Sequence, residues 1–263
     1  MSEETILANI DERGVVTLTM NRPELHNAFD ERLIAALTGA LRQLAADPAV
    51  RVVLLAASGK SFSAGADLNW MRRMADYSHE QNLADAAALA ELMRTLDRLP
   101  KPTIALVHGA AYGGGVGLAA CCDIAIATAR ASFCLSEVRL GLIPAVISPY
   151  VVAAIGNRAA RRYFLTAETF DALEAQRIGL VHEVVADQDE LAVVAERLTA
   201  QLLKNGPAAL SAAKSLLQRV SRGVVDDEMI ADTAGRIAGI RATAEGKEGL
   251  AAFLEKRPPA WIK

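Results

Sequence analysis

The chain has 263 residues, with 28 Lys and Arg against 31 Asp and Glu, giving a formal charge of −3. Hydrophobic residues make up 52% and charged residues 22%, too apolar for a disordered chain and long enough to bury a core without a metal or disulfide staple. The slight acidity excludes the broad basic face of a nucleic-acid binder, although a few Lys or Arg can still hold a small anion.

In chain order, Ile6 to Ile10 and Val15 to Met20 read as a hairpin turning through Glu12-Arg13-Gly14. Asn27 is placed to cap a helix with Leu33, Ile34, Leu37, Leu41 and Leu44 on one face. Val50 to Ala56, closed by Ser58-Gly59, suits a buried parallel strand. Gly59-Lys60-Ser61 is not a phosphate loop, because Leu54 stands where the leading glycine is required. A polar helical stretch follows from about Leu83 to Leu99. Thr103 to Val107, Ile124 to Ala127 and Val181 to Val185 read as further strands.

Between Lys101 and Asp123 no Asp, Glu, Lys or Arg occurs, about the length a bilayer demands. Pro102, His108 and five glycines make this a buried strand, a glycine turn and a buried helix instead. Beyond about residue 190 only helices are expected: Leu191 to Leu203, Ala208 to Val220, Asp226 to Ile240 and Lys247 to Leu254. The expected division is an α/β core over 1–190 and a helical region over 191–263. The second part is rich in Ala and Leu, which suits packing on a neighbouring subunit.

Cys121, Cys122 and Cys134 are odd in number and two are adjacent, so they read as small buried residues of a reducing compartment. The opening MSEETILANI lacks the basic and apolar regions of a secretory signal, and the expected location is cytoplasmic. His26, His79, His108 and His182 form no ligand spacing, so no metal is expected. Arg72-Arg73 and Arg161-Arg162 read as solvated faces. Trp70, Met71 and Met74 read as core or pocket lining.

Three segments carry chemistry. Gly113-Gly114-Gly115-Val116-Gly117-Leu118-Ala119-Ala120 contains Gly115-x-Gly117-x-x-Ala120, a partial dinucleotide fingerprint, with Glu137 about 20 residues on. About a hundred residues precede it, whereas that fingerprint opens a domain. Glycines at a helix start leave N–H groups open to a developing oxyanion; they also permit tight helix packing, and both readings stand. Phe62-Ser63-Ala64-Gly65-Ala66-Asp67-Leu68 is a second strand-to-helix turn with a free N–H, in which Asp67 can be a plain cap. Glu137 lies among apolar residues, which would raise its pKa for proton transfer; on spacing alone an ion pair with Arg139 is the simpler reading.

Together these segments resemble the crotonase family, the enoyl-CoA hydratase/isomerase superfamily. The similarity runs through Asn21 to Ala28, Ser63 to Leu68, Gly109 to Gly117, Ser136 to Pro144, Ala175 to Val181 and Phe253 to Pro258. The resemblance implies a spiral of stacked ββα units with C-terminal helices that build a homotrimer, often doubled to a hexamer. It implies an acyl-CoA thioester as substrate, with no separate cofactor. The backbone N–H groups of Ala66 and Gly114 would hold the thioester oxygen, and Glu137 would be the acid–base. CoA would lie along Glu24, Leu25, His26 and Ala28, and along Ala64, Asp67 and Leu68. Tyr112 would stand beside the acyl group, with Phe253 and Lys256 reaching CoA from a neighbouring subunit.

The chain departs from the family's two-glutamate hydratases at Gly117, where the second acid would stand. It departs again at Ala145-Val146-Ile147-Ser148-Pro149-Tyr150, where the family is glycine-rich. The glycine change resembles bacterial methylglutaconyl-CoA hydratases, whose substrate carries its own carboxylate. In a hydratase of this kind Glu137 manages the water alone, helped by Tyr112, Ser148 or that carboxylate. A 3-enoyl to 2-enoyl isomerase needs only one base and fits one-carboxylate chemistry at least as well. A non-catalytic acyl-CoA binder is the alternative from another class, and a nicotinamide enzyme the most distant.

Overall fold

The computed structural model describes residues 4–221 and 223–262. The chain opens with β1 (Ile6–Ile10) and β2 (Val15–Met20), paired antiparallel. The Asp11 carboxylate accepts from Arg13 N and Val15 N, both at 2.9 Å, and Gly14 takes a φ of 82°, which closes the hairpin. Next come α1 (Glu31–Ala46), β3 (Val52–Ala57), α2 (Leu68–Met74) and α3 (His79–Asp97). They are followed by β4 (Thr103–Val107), β5 (Ala111–Tyr112), α4 (Gly114–Cys121), β6 (Ile124–Thr128) and β7 (Ser132–Cys134). After these come α5 (Ser148–Thr166), β8 (Phe170–Asp171), α6 (Ala172–Arg177) and β9 (Glu183–Val185). Four helices end the chain: α7 (Gln188–Leu203), α8 (Pro207–Val220), α9 (Asp227–Ala242) and α10 (Ala244–Glu255).

The main sheet has the order β1-β2-β3-β4-β6-β9 and is parallel from β2 onward. Its strands are apolar throughout because both faces are covered. Val53, Leu55, Ala105, Val107, Ala125 and Ala127 face the core with α1, α3 and α4. The alternate residues Val52, Ile104 and Ile126 face Leu191 and Ala195 of α7. The first helix of the C-terminal region thus packs on the sheet.

A second layer explains the spiral. The small sheet β5-β7-β8 is extended by two single bridges, Ser63 with Ala111 and Phe29 with Ala66. Each of β2, β3, β4 and β6 therefore passes into a short extended segment of the second layer and then into a helix. This is the stacked ββα arrangement expected from the resemblance.

Several expectations change in detail. Asp30, not Asn27, caps α1, accepting from Leu33 N at 2.9 Å. Asn27 is fully buried at a φ of 53° and ties loops together. Its amide donates to Ser58 O at 2.8 Å and Ser61 O at 2.9 Å, and its carbonyl accepts from Arg22 N at 2.8 Å. The α3 helix starts earlier than expected, at a capping box of Ser78 and Gln81. Helices α5 and α6 and the small sheet were not read from the sequence. The three cysteines are free and buried, and burial pushes the Cys122 thiol up to about 12. Three histidines are engaged locally: His26 with Ser61 Oγ, His108 with Gly59 O, and His182 with Ala125 N. Among the described residues no helix is long and apolar enough to cross a membrane; the uncharged run 101–123 is β4, β5 and α4.

The C-terminal helices hang on few anchors. Lys214 of α8 pairs with Asp123 at 2.8 Å, and Gln218 donates to Asp97 O at 2.8 Å. Glu245 of α10 accepts from Ala208 N and Ala209 N at the start of α8.

Asn27→Ala leaves two buried carbonyls and one N–H without their partner. It should destabilise the fold by on the order of 3 kcal/mol, measured by urea unfolding. An unchanged midpoint would show that the loops hold without this amide.

Candidate active site

Three helix starts meet where the second layer ends. The first is built by the bridge between Phe29 and Ala66. Phe29 N donates to Gly65 O at 2.7 Å and Asp67 N donates to Phe29 O at 2.8 Å. In a parallel bridge these bonds use the groups on either side of Ala66 and turn its own N–H away. That N–H has no acceptor among the described residues. Asp67 is the cap of α2, accepting from Asn69 N at 2.8 Å and Trp70 N at 3.0 Å. Its carboxylate also faces Arg22, which pairs with Asp30 at 2.9 Å. The plain reading of Asp67 holds, and its carboxylate serves the turn.

The second start is the glycine run. Gly113 N donates to Cys134 O at 2.9 Å, locking the turn to β7. Gly114 begins α4, so its N–H has no intrahelical acceptor, and none is present among the described residues. The run is also tightly packed. A Cβ on Gly114 would lie 2.9 Å from Phe29 Cε2, and one on Gly115 would lie 2.9 Å from Ser63 O. Close packing and an open N–H therefore coexist in this run, and the packing brings the helix start to the Ala66 turn. A Cβ on Gly113 would stand 3.9 Å from Gly65 Cα.

The third start is Glu137, at the head of a single helical turn over Glu137–Leu140 that ends at Gly141 in a left-handed conformation. Its Oε1 lies 3.1 Å from the Cβ position of Gly113, directly over the glycine turn. Its Oε2 is buried without a hydrogen-bond partner. Desolvation pushes the carboxyl above the ordinary glutamate range. The ion pair with Arg139 suggested by spacing is not formed: Arg139 donates instead to Ala167 O at 2.6 Å. A single helical turn closed by Gly141 sends the two side chains to different partners. A buried carboxylate oxygen left unpaired over the glycine turn is costly to the fold and suited to proton transfer.

The segments expected along CoA are brought together. Ala64 N donates to His26 O at 2.9 Å, so the 24–28 and 64–68 stretches run side by side. Glu24, Leu25, Ala64 and Leu68 are exposed there, while Ala28 is buried. Phe253 and Lys256 are not brought to them within one chain; α10 packs on α9 and α8, and Phe253 is 81% exposed. The proposed helpers have partners of their own. Tyr112 Oη bonds Ser132 Oγ at 3.3 Å, and Ser148 Oγ donates to Ala145 O at 2.8 Å. In the sequence Ile147 stands out only as part of the altered segment 145–150. It is buried against Gly117, a contact with no sequence signal.

The sequence pattern described as enoyl-CoA hydratase/isomerase matches residues 11–263. An enoyl-CoA hydratase from Shewanella pealeana has a crystal structure that superimposes with a TM-score of 0.95 at 50% identity, covering 99% of this chain and 97% of that one. The crotonyl-CoA hydratase of Syntrophomonas wolfei is 33% identical over 265 residues, covering 100% of this chain and 99% of its own. The 2,3-dehydroadipyl-CoA hydratase of Escherichia coli K12 is 34% identical over 249 residues, with 94% and 95% covered. Full-length likeness in sequence and backbone, with two turns that leave an N–H open and a desolvated acid over one of them, leads to one conclusion: the chain belongs to the enoyl-CoA hydratase/isomerase family, the crotonases.

Proposed function

We propose that the protein is a hydratase that adds water across the 2,3 double bond of an enoyl-CoA. The observation that carries this reading is the buried, unpaired Glu137 carboxylate lying over the glycine turn. The Ala66 and Gly114 N–H groups donate hydrogen bonds to the thioester oxygen. Water attacks C3 and gives its proton to Glu137. The π pair moves to the thioester, whose enolate oxygen is held by the two amides. Glu137 then returns the proton to C2, restoring both thioester and carboxylate. Water is the net addition and no oxidation change remains, so the reaction calls for no redox cofactor. Donors of this kind are typically worth ~10²–10³ in rate each.

The preferred acyl group is branched or carries its own carboxylate, as in 3-methylglutaconyl-CoA. Tyr112 and Ser148 being engaged elsewhere supports a substrate that brings its own polar group. CoA lies along 24–28 and 64–68. In this reading the protein is a homotrimer or a dimer of trimers, in which Phe253 and Lys256 of a neighbouring copy complete the CoA site. Exposed apolar side chains on the terminal helices, Phe253, Leu254, Leu250 and Ile230 among them, support it. One observation favours a second reading. Helix α4 carries no acid of its own, with glycine at 117 and Glu137 standing over Gly113 at its start, and one base suffices to move a proton from C2 to C4 in a 3-enoyl-CoA.

Glu137→Gln should leave CoA-ester binding near its original affinity while kcat falls ~10²-fold or more. Unchanged turnover would remove Glu137 from the mechanism. Mass spectrometry of the product separates the two reactions: hydration adds one water, and isomerisation leaves the mass unchanged. The base must be ionised and its pKa is raised, so kcat/KM should fall on acidification through a midpoint above the ordinary glutamate value. A midpoint at or below that value would contradict desolvation at the working site.

A further inference from the structure

Gly113 immediately precedes α4 and Gly117 lies one turn on, its N–H donating to Gly113 O at 3.2 Å. Over Gly113 stands the Glu137 carboxylate. Over Gly117 stands Ile147. A Cβ on Gly117 would overlap Ile147 Cγ2 and lie 3.0 Å from Ile147 Cβ and 3.2 Å from Met93 Cε. Met93 could swing its methyl away. Ile147 cannot, because its branch point is itself in the way and β-branched side chains have few rotamers. Ile147 is 2% exposed and sits at the start of α5, just after the turn that carries Glu137. The loss of a side chain at 117 and the bulk at 147 are therefore one feature. The space beside the acid is filled with hydrocarbon.

We propose that Ile147 is a specificity-determining residue: with Gly117 it forms an apolar wall one helical turn beyond Glu137 that selects acyl groups by the size of the apolar substituent on C3. This rests on the reading of Glu137 as the acid–base. A carboxylate that moves protons at C2 and C3 must hold both atoms near α4. A substituent on C3 then runs along the same face and meets Ile147. The wall is apolar, so a carboxylate on the acyl group must point away from it, and the branch that touches it is hydrocarbon.

The test compares kcat/KM for crotonyl-CoA and trans-2-hexenoyl-CoA, which differ by two methylenes beyond C3. Ile147→Ala should raise the hexenoyl-to-crotonyl ratio by about tenfold or more, since one methylene in an apolar pocket is worth roughly 10–200-fold. Ile147→Val should shift it the same way by less, and serves if the alanine variant does not fold. Gly117→Ala should lose at least tenfold in turnover of both esters, and adding Ile147→Ala to it should restore most of that loss. A ratio within twofold of the original in folded Ile147 variants would overturn the proposal, as would a fully active Gly117→Ala. If the unmodified protein turns over neither ester nor any other enoyl-CoA, the assigned reaction falls before any variant is made, and this inference falls with it.

Discussion

The site depends on a ladder of main-chain hydrogen bonds in the second layer. Phe29 with Ala66, Ser63 with Ala111, and β5 with β7 are each paired parallel. These bonds align four successive passes of the spiral, so the helix starts of the last three lie close together. The Ala66 turn, the Gly113-Gly114 turn and Glu137 are consequences of that alignment. Close approach is possible because Gly65, Gly113, Gly114 and Gly115 have no Cβ; at three of these positions Phe29, Ser63 or the Glu137 carboxylate occupies or crowds the space. The polar groups that a buried helix start ordinarily satisfies with a cap are left open here, while Asp67 caps its neighbour α2.

Glu137 makes sense only inside this frame. Its oxygen lacks a partner and its charged form is disfavoured by burial. In a structural role such a group would acquire a partner; Arg139, two residues away, is instead spent on Ala167 O. A desolvated carboxylate over a glycine turn with an open N–H is the arrangement on which the proposed proton transfer rests. The neighbouring space at Gly117 holds no second acid. Ile147 fills it, which leaves Glu137 as the acid of the proposed proton chemistry.

Sequence patterning was most legible where local and tertiary preferences agreed. The hairpin, β4, the α1 face and the four C-terminal helices stand close to where periodicity placed them. Strand runs of six or fewer apolar residues between turn signals are easily read when both faces are buried. The strands of the second layer are two or three residues long and have no periodicity to detect. Asn27 was misread because a buried left-handed asparagine and a helix cap look alike in one dimension; only Ser58 and Ser61, more than thirty residues on, distinguish them.

By itself the sequence determined the residue types at each turn: small residues at 64–66 and 113–115, an acid at 137, glycine at 117. These followed from local chemistry, since only such residues permit open N–H groups and close backbone approach. Tertiary structure decided the choices between readings. It sent Arg139 elsewhere, left Glu137 desolvated and set Ile147 against Gly117. Each of these is a contact between segments distant in sequence or on different elements, and the physical reason is the same throughout: burial and partner choice belong to the packed chain, not to any stretch of it.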